Sequence, residues 1–141
     1  MNKEELMNIL PHRDNMLLVE EAYLDEEGKS HGKYTVKGDE FFLQGHFLGN
    51  PVVPGVILCE MMGQASCMLF AEEMKSGMTP MFTGLNEVKF RKPVKPGDTL
   101  ESVCEVEKAK PPFYFAKGTG FVDGEVAVKA IFSFALVKGE E

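Results

Sequence analysis

The sequence contains few cysteines, and their spacing suggests neither a disulfide framework nor a metal site. Cys59, Cys67 and Cys104 are an odd number in 141 residues, and no two of them form a Cys-x-x-Cys pair. Zinc sites and disulfide-stapled domains usually place cysteines in pairs at short spacing. We therefore expect no metal, and unpaired thiols fit a reducing, cytoplasmic location.

The sequence also lacks an excess of positive charge, a leader segment and a membrane-spanning run. Its formal net charge is −7 and its isoelectric point is near 5.0, which argues against nucleic acid as a partner. No basic segment followed by an apolar stretch opens the chain, so we expect no secretory signal. The apolar run Val56–Ala71 is short and carries polar interruptions, so we expect no membrane span.

The length and composition are those of an ordinary globular protein. With 141 residues and 44% hydrophobic residues, the chain can bury one core, and it contains no internal repeat or low-complexity segment. We therefore expect a single domain spanning residues 1–141.

A loop rich in glycine and proline carries one of the three histidines. His46 lies between Gly45 and Gly49, and Pro51 and Pro54 follow. Glycine permits backbone conformations that other residues resist, while proline stiffens the chain. Such a loop can hold an imidazole at a fixed point, and imidazole titrates near neutral pH. The alternative is an ordinary surface histidine.

An apolar helix is predicted directly after this loop, from about Pro54 to Lys75, with Gly77 as its stop signal. It is apolar on nearly every side, which indicates a helix buried all round. Its one carboxylate within the apolar run, Glu60, must become neutral, find a partner or line a site. A raised pKa would suit a general acid. The alternative is a position on a wet helix edge.

Gln64 lies four residues after Glu60 and therefore on the same helix face. It could hydrogen-bond Glu60 or a ligand. The alternative is a solvated helix position.

The remaining chain shows strand patterns, with one short helix at the start. The last segment alternates cleanly, with one face formed by Val126, Val128, Ala130, Phe132, Phe134 and Leu136. We predict a helix over Asn2–Ile9, a helical turn over Asp39–Leu43, and strands over Met16–Leu24, Lys29–Lys37, Met81–Phe90, Thr99–Lys108, Phe113–Val122 and Glu125–Val137. A helix against an antiparallel sheet is an α+β fold.

Four basic residues cluster within seven positions of this acidic chain: Lys89, Arg91, Lys92 and Lys95. A local basic patch would attract and orient an acidic partner. The alternative is a solvated strand end.

Three motifs of this chain resemble those of the (3R)-3-hydroxyacyl-[acyl-carrier-protein] dehydratases of type II fatty acid synthesis. Together the motifs extend over most of the chain, roughly Ile9 to Val137. Two positions depart from the usual pattern, which has proline where this chain has Leu48 and an apolar residue where it has Lys95. The motifs are His46-Phe47-x-Gly49-Asn50-Pro51-x-x-Pro54-Gly55 with Glu60 and Gln64, Leu10-Pro11-His12-Arg13 with Leu17-Leu18-Val19, and Phe90-Arg91-Lys92-Pro93-Val94-x-Pro96-Gly97-Asp98.

The resemblance implies a hot-dog fold, in which a curved antiparallel sheet wraps a long helix. It also implies homodimers as the basic unit, often assembled as trimers of dimers into a homohexamer. In such a dimer, His46 and Glu60 of one site come from different subunits. The His12-Arg13 turn would structure the site's mouth, although an ordinary surface turn is the alternative.

Dehydration of a 3-hydroxyacyl thioester needs a base at C2 and an acid at the C3 hydroxyl, and no cofactor. We assign His46 as the base and Glu60 as the acid. The amide of Gly55 or Val56, at the helix start, would polarise the thioester carbonyl. Phe82 is a candidate for lining the acyl tunnel, although an ordinary core aromatic is the alternative.

The basic cluster is assigned to docking of acyl carrier protein, which is acidic. Two alternative functions stay open from the sequence. One is an acyl thioesterase of the hot-dog fold, in which a helix carboxylate activates water. The other is a catalytically silent homologue that binds acyl groups. The loop histidine at position 46 favours the dehydratase over the thioesterase, and the presence of both His46 and Glu60 favours it over the silent homologue.

Overall fold

A computed structural model describes residues 1–10, 12, 16–47 and 49–138. Six antiparallel strands form one sheet in the order β1-β2-β4-β5-β6-β3, and the central helix packs against it. The strands are β1 Glu21–Leu24, β2 Ser30–Thr35, β3 Met78–Phe90, β4 Thr99–Lys110, β5 Phe113–Val122 and β6 Glu125–Lys138. The helices are α1 Lys3–Leu6, α2 Gly55–Ala65 and α3 Ala71–Lys75, with 3-10 turns at Phe41–Leu43 and Ser66–Phe70.

The predicted α+β architecture is confirmed, and the last strand has the predicted apolar face. Along β6 every second residue from Val128 to Leu136 is buried, including Phe132 at 1% exposure. Burial of these apolar side chains against α2 removes them from water, which is the main force that holds helix and sheet together.

The first predicted strand, Met16–Leu24, is wrong over its first half, because β1 begins only at Glu21. Leu17, Leu18 and Val19 are nevertheless buried in the core. Their backbone is held by the helix instead of a neighbouring strand, since the Leu18 N–H donates to the side chain of Gln64 at 2.7 Å. An apolar run in sequence cannot distinguish these two ways of being buried.

The predicted helix over Pro54–Lys75 is helical almost throughout but is not one α-helix. The 3-10 turn Ser66–Phe70 separates α2 from α3. Ser66 starts this turn, and its hydroxyl donates to the carbonyl of Gly63 at 2.6 Å, competing with the regular helix ladder.

The prediction that the helix is buried on all sides is wrong at its first turn, where Val56 is 70% exposed. At this end of α2, the ring of Phe90 from the edge strand β3 lies against Gly55, while the Val56 side chain faces solvent.

The N-terminal helix is shorter than predicted but is capped as its sequence suggests. The Asn2 side chain accepts a hydrogen bond from the Glu5 N–H at 2.9 Å, and the Glu5 carboxylate accepts one from the Asn2 N–H at 3.2 Å. This reciprocal arrangement satisfies two donors at the helix start. It brings Leu6 into the core, where the side chain is fully buried.

None of the helices within the described ranges has the length and apolar character that crossing a bilayer requires.

Helix and sheet approach each other closely at Gly32 on β2. A Cβ atom at this position would lie 2.5 Å from the Cβ and 2.8 Å from the Cα of Ala65. The adjacent Ser30 hydroxyl donates to the Ala65 carbonyl at 2.6 Å, so the helix backbone here is fixed to the strand.

We expect Gly32→Ala to lower the free energy of unfolding by about 1–3 kcal/mol, because the new methyl group meets backbone atoms that cannot rotate away. Gly118→Ala is the matched control, because its Cβ would meet only side-chain atoms, the nearest 3.1 Å away on Phe132. Urea unfolding at one fixed protein concentration measures both. An equal or smaller loss for Gly32→Ala than for Gly118→Ala would contradict this packing.

Candidate active site

Glu60 faces a cavity between α2 and the sheet. Its walls are mostly apolar and aromatic, and the polar groups are concentrated at the Glu60 end. The lining residues are Leu10, His12, Glu60, Gly63, Gln64, Ser66, Cys67, Phe70, Met74, Pro80, Phe82, Phe132 and Phe134.

Glu60 is held by two neighbours that contact the same oxygen. His12 Nε2 lies 3.2 Å from Glu60 Oε1, and Gln64 Nε2 donates to that atom at 3.0 Å. The side chains of Glu60 and His12 are only 22% and 24% exposed. The alternative of a wet helix edge is therefore wrong, and the carboxylate has found a partner.

The pKa of the Glu60 carboxyl shifts in the direction opposite to the one expected of a general acid. Burial raises this pKa, but the hydrogen bonds from His12 and Gln64 and the charge of His12 together outweigh burial and hold it below its ordinary value. The sequence could not indicate this, because His12 lies 48 positions away from Glu60.

Gln64 is a structural anchor, with 2% exposure. Its Oε1 accepts from the Leu18 N–H at 2.7 Å, and its Nε2 donates to the Met16 carbonyl at 2.8 Å as well as to Glu60. The alternative of a solvated helix position is therefore wrong. The predicted hydrogen bond to Glu60 is present.

His46 faces a second cavity, together with Gly55, Phe90, Arg91 and other residues. Its Nδ1 lies 2.9 Å from the Val52 carbonyl oxygen. Since a carbonyl can only accept, Nδ1 carries the proton, and Nε2 of the neutral ring is left to accept one. This tautomer is the one a general base needs. Leu48, the departure from the usual loop pattern, lies outside the described residues.

The start of α2 lies in the His46 cavity. Gly55 is its first residue and lines the cavity. Within the described chain, no acceptor faces the N–H of Gly55 or Val56, as is usual at a helix start. These donors can therefore polarise a carbonyl placed there. Val56 lines neither cavity, so of these two donors only the Gly55 N–H belongs to a residue that lines one.

Among the residues that the structure describes, a single chain does not bring His46 and Glu60 into one cavity. The edge strand β3 contributes residues to both cavities, because Pro80 and Phe82 line the Glu60 cavity and Phe90 lines the His46 cavity. Phe82 packs against Gly63 of α2 and is 44% exposed, so it is not the ordinary core aromatic that we considered.

The basic cluster lies at the His46 cavity. Arg91 and Lys92 line it, and Lys89 and Lys95 are exposed nearby in the sequence. Lys92 is partly neutralised, with its Nζ 3.5 Å from Glu125 Oε2.

Three residues at or near these cavities were not assigned to the site from the sequence. Lys129 of β6 is paired with Lys89 in register and adds an exposed positive charge to the cluster. Only strand register reveals this, since 40 positions separate the two lysines. His12 was noted in its motif, but no sequence pattern pointed it at Glu60. Cys67 also lines the Glu60 cavity, and burial raises its pKa to about 12, so its thiol is not a nucleophile near neutral pH.

Within the described residues, no group of three or more histidine, cysteine or acidic side chains is arranged to hold a metal ion.

Comparison with known proteins gives a consistent result. A family model described as "FabA-like domain" matches residues 10–131. Proteins named "3-hydroxyacyl-[acyl-carrier-protein] dehydratase FabZ" are similar along almost their whole length. The one from Caldicellulosiruptor bescii is 44% identical over 138 residues, covering 96% of this chain and 98% of that protein. The one from Clostridium beijerinckii is 37% identical over 140 residues, covering 96% and 99%.

Solved structures show the same fold at low sequence identity. The dehydratase heterocomplex ApeI:P from Xenorhabdus doucetiae aligns with a TM-score of 0.76 at 20% identity, covering 93% of this chain and 90% of that chain. The E. coli PaaI protein aligns with a TM-score of 0.62 at 16% identity, covering 82% and 81%. These likenesses confirm the hot-dog fold predicted from the motifs.

We expect Gln64→Met to lower the free energy of unfolding by about 1–3 kcal/mol, because it leaves the buried Leu18 N–H and Met16 carbonyl without their partner. Ser66→Ala is the control, since its hydroxyl bonds only one carbonyl of its own helix, at Gly63. Thermal unfolding followed by circular dichroism compares the two. The anchoring role fails if Gln64→Met is no less stable than Ser66→Ala.

Proposed function

Since the chain belongs to the 3-hydroxyacyl-[acyl-carrier-protein] dehydratase family and is therefore a hydro-lyase of fatty acid biosynthesis, we propose that His46 and Glu60 are the acid–base pair with which it removes water from a (3R)-3-hydroxyacyl thioester. The product is the trans-2-enoyl thioester. The observation that carries this assignment is the pair of cavities along β3, one with a histidine in the tautomer of a base and one with a carboxyl group.

A second copy of the chain completes the site in this proposal. Strand β3 is an edge strand, since β6 is its only partner among the described strands. Apolar side chains lie exposed along it, among them Met81, Leu85 and Phe90. Such an edge promotes pairing with another strand, which makes a second β3 a suitable occupant.

The geometry of β3 explains how pairing would join the two cavities. Phe82, at the Glu60 cavity, and Phe90, at the His46 cavity, are eight residues apart, about 26 Å along a strand. If two β3 strands pair antiparallel about a two-fold axis near Asn86, Phe82 of one copy lies opposite Phe90 of the other. Glu60 of one chain then shares a cavity with His46 of its partner. Three such dimers could form a hexamer without changing this site.

The proposed reaction uses these groups in one step. Nε2 of His46 takes the proton from C2 of the substrate, and the C2–H electron pair becomes the C2=C3 bond. Protonated Glu60 gives its proton to the C3 hydroxyl, which leaves as water. The Gly55 N–H at the start of α2 stabilises the negative charge that develops on the thioester oxygen. Exchange with solvent restores both protonation states.

Acyl carrier protein is the proposed partner at the basic cluster. The net charge of this chain is −7, so a general attraction for an acidic partner is absent and a local positive surface must provide it. Lys89, Lys129 and Arg91 supply exposed positive charge close to the His46 cavity. The three cysteines are free and buried, which is consistent with an enzyme that acts in the reducing cytoplasm.

A mixing experiment tests the composite site. We expect His46→Ala and Glu60→Gln each to lower hydration of a crotonyl thioester by about 10²-fold or more, because each loses one proton-transfer group. Dimers formed from both variants together should regain about a quarter of wild-type activity, since half of them are mixed and each mixed dimer has one intact site.

The mixture is formed by co-expression with two different tags, and activity is followed by the loss of enoyl absorbance. No recovery in purified mixed dimers would overturn the two-chain site. Release of free thiol from a saturated acyl thioester, without hydration, would indicate the thioesterase alternative. Binding of acyl ligand with neither reaction would indicate the silent homologue.

A second experiment tests carrier docking. We expect the double variant Lys89→Glu, Arg91→Glu to raise KM for an enoyl carrier-protein substrate about tenfold or more, because rim charges orient an oppositely charged partner. KM for the matching coenzyme A thioester should change far less. Lys3→Glu, Lys75→Glu is the control, with the same charge change at exposed positions outside the cluster. An equal rise in KM for both double variants would contradict docking here.

A further inference from the structure

Glu60 has unequal surroundings at its two carboxyl oxygens. Both hydrogen-bonding neighbours, His12 and Gln64, contact Oε1. Oε2 has no hydrogen-bond partner within the described part of the chain. The side chain lines the cavity, so Oε2 is the oxygen left for a ligand there.

The two neighbours differ in what they can do. Gln64 is fixed by the Leu18 N–H and the Met16 carbonyl, and its amide cannot change charge. His12 can carry a positive charge, so it alone can respond to the charge of Glu60. Within the described residues, the titratable groups that line this cavity are His12, Glu60 and Cys67. Arg13 and Asp14 adjoin His12 in the sequence and lie outside those residues.

We propose that His12 is a positioning residue for Glu60, which together with Gln64 holds Oε1 so that Oε2 alone exchanges a proton with the substrate. The inference rests on the proposed function, in which Glu60 is the acid. His12 transfers no proton to substrate itself.

Two physical effects support this role. The terminal torsion of a glutamate is broad, so an unrestrained carboxyl group presents either oxygen in many orientations. Two neighbours that contact Oε1, His12 and Gln64, restrict this torsion and thereby fix the direction of Oε2. The second effect is electrostatic, because the hydrogen bonds from His12 and Gln64 and the charge of His12 hold the pKa of Glu60 below its ordinary value against the opposing effect of burial.

This role is consistent with proton transfer in both directions of the reaction, dehydration and hydration. In dehydration, the Oε2–H bond breaks, the proton moves to the C3 hydroxyl oxygen, and the C3–O bond breaks to release water. The carboxylate that remains is stabilised by the donors at Oε1. In hydration, the same carboxylate accepts a proton from the attacking water at Oε2. His12 therefore stabilises the charged state of Glu60, which is the final state in dehydration and the starting state in hydration.

The first test measures the titration of Glu60 without using catalysis. Carbon-13 labelling of glutamate side chains reports each carboxyl group, and the signal absent from Glu60→Gln identifies Glu60. We expect His12→Leu to move this titration to higher pH, because the donor and its charge are lost. His12→Gln should move it less, since its amide can still donate to Oε1. An unchanged titration in His12→Leu would overturn the proposal.

The second test uses the wild-type fold, in case the leucine variant does not fold. The contact between His12 Nε2 and Glu60 Oε1 can be followed with His12 intact. At one fixed pH, we expect the nitrogen-15 chemical shift of His12 Nε2 to differ between wild type and Glu60→Gln, because the carboxylate that it contacts is replaced by an amide. Identical chemical shifts in both proteins would also overturn the proposal.

The kinetic test distinguishes a failure of the positioning role from a failure of the proposed function. In crotonyl thioester hydration, we expect His12→Leu to lower kcat about tenfold, the scale of losing one hydrogen bond to a charged group. The limb of the pH profile that follows Glu60 should move to higher pH, and His12→Gln should recover part of kcat. An unchanged kcat and pH profile would refute the positioning role. A wild-type protein without hydratase activity would refute the proposed function instead, whatever the titrations give.

Discussion

The arrangement of the Glu60 site depends on the hydrogen bonds of one buried amide side chain, that of Gln64. It sits on the central helix, ties the segment before β1 through Met16 and Leu18, and donates to Glu60. A buried polar group is stable only when its hydrogen bonds are satisfied, so these contacts form together or not at all. One side chain thereby fixes both the path of the N-terminal segment and the place of the carboxylate.

The carboxylate shows how an apolar helix can contain a charge. Glu60 is stabilised on one oxygen by His12 and Gln64, and its side chain lines a mostly apolar cavity. His46, in contrast, is held by its own loop, through the Val52 carbonyl. The two groups proposed as acid and base are therefore held by separate sets of contacts. An exposed apolar edge strand that contributes residues to both cavities supplies the proposed means of bringing them together.

Much of the fold was predictable because its signals are local. The strand Phe113–Val122 has the predicted bounds, and the alternation in β6 identifies the face that becomes core. The errors occurred where long-range contacts overrode local pattern. The run from Met16 to Val19 looks like a strand and is buried like one, yet its hydrogen bonds go to a helix side chain. The central helix is broken at Ser66, whose hydroxyl bonds a carbonyl of the preceding turn.

The sequence by itself determined the chemistry that is present: a histidine in a stiff loop, a carboxylate in an apolar helix fourteen positions later, and the motifs that identify the family. Only the tertiary structure decided the state of those groups. The lowered pKa of Glu60 depends on His12, and the extent of the basic cluster depends on Lys129. Electrostatic and hydrogen-bond energies depend on distances between atoms, and residues 40 or more positions apart acquire those distances only when the chain folds.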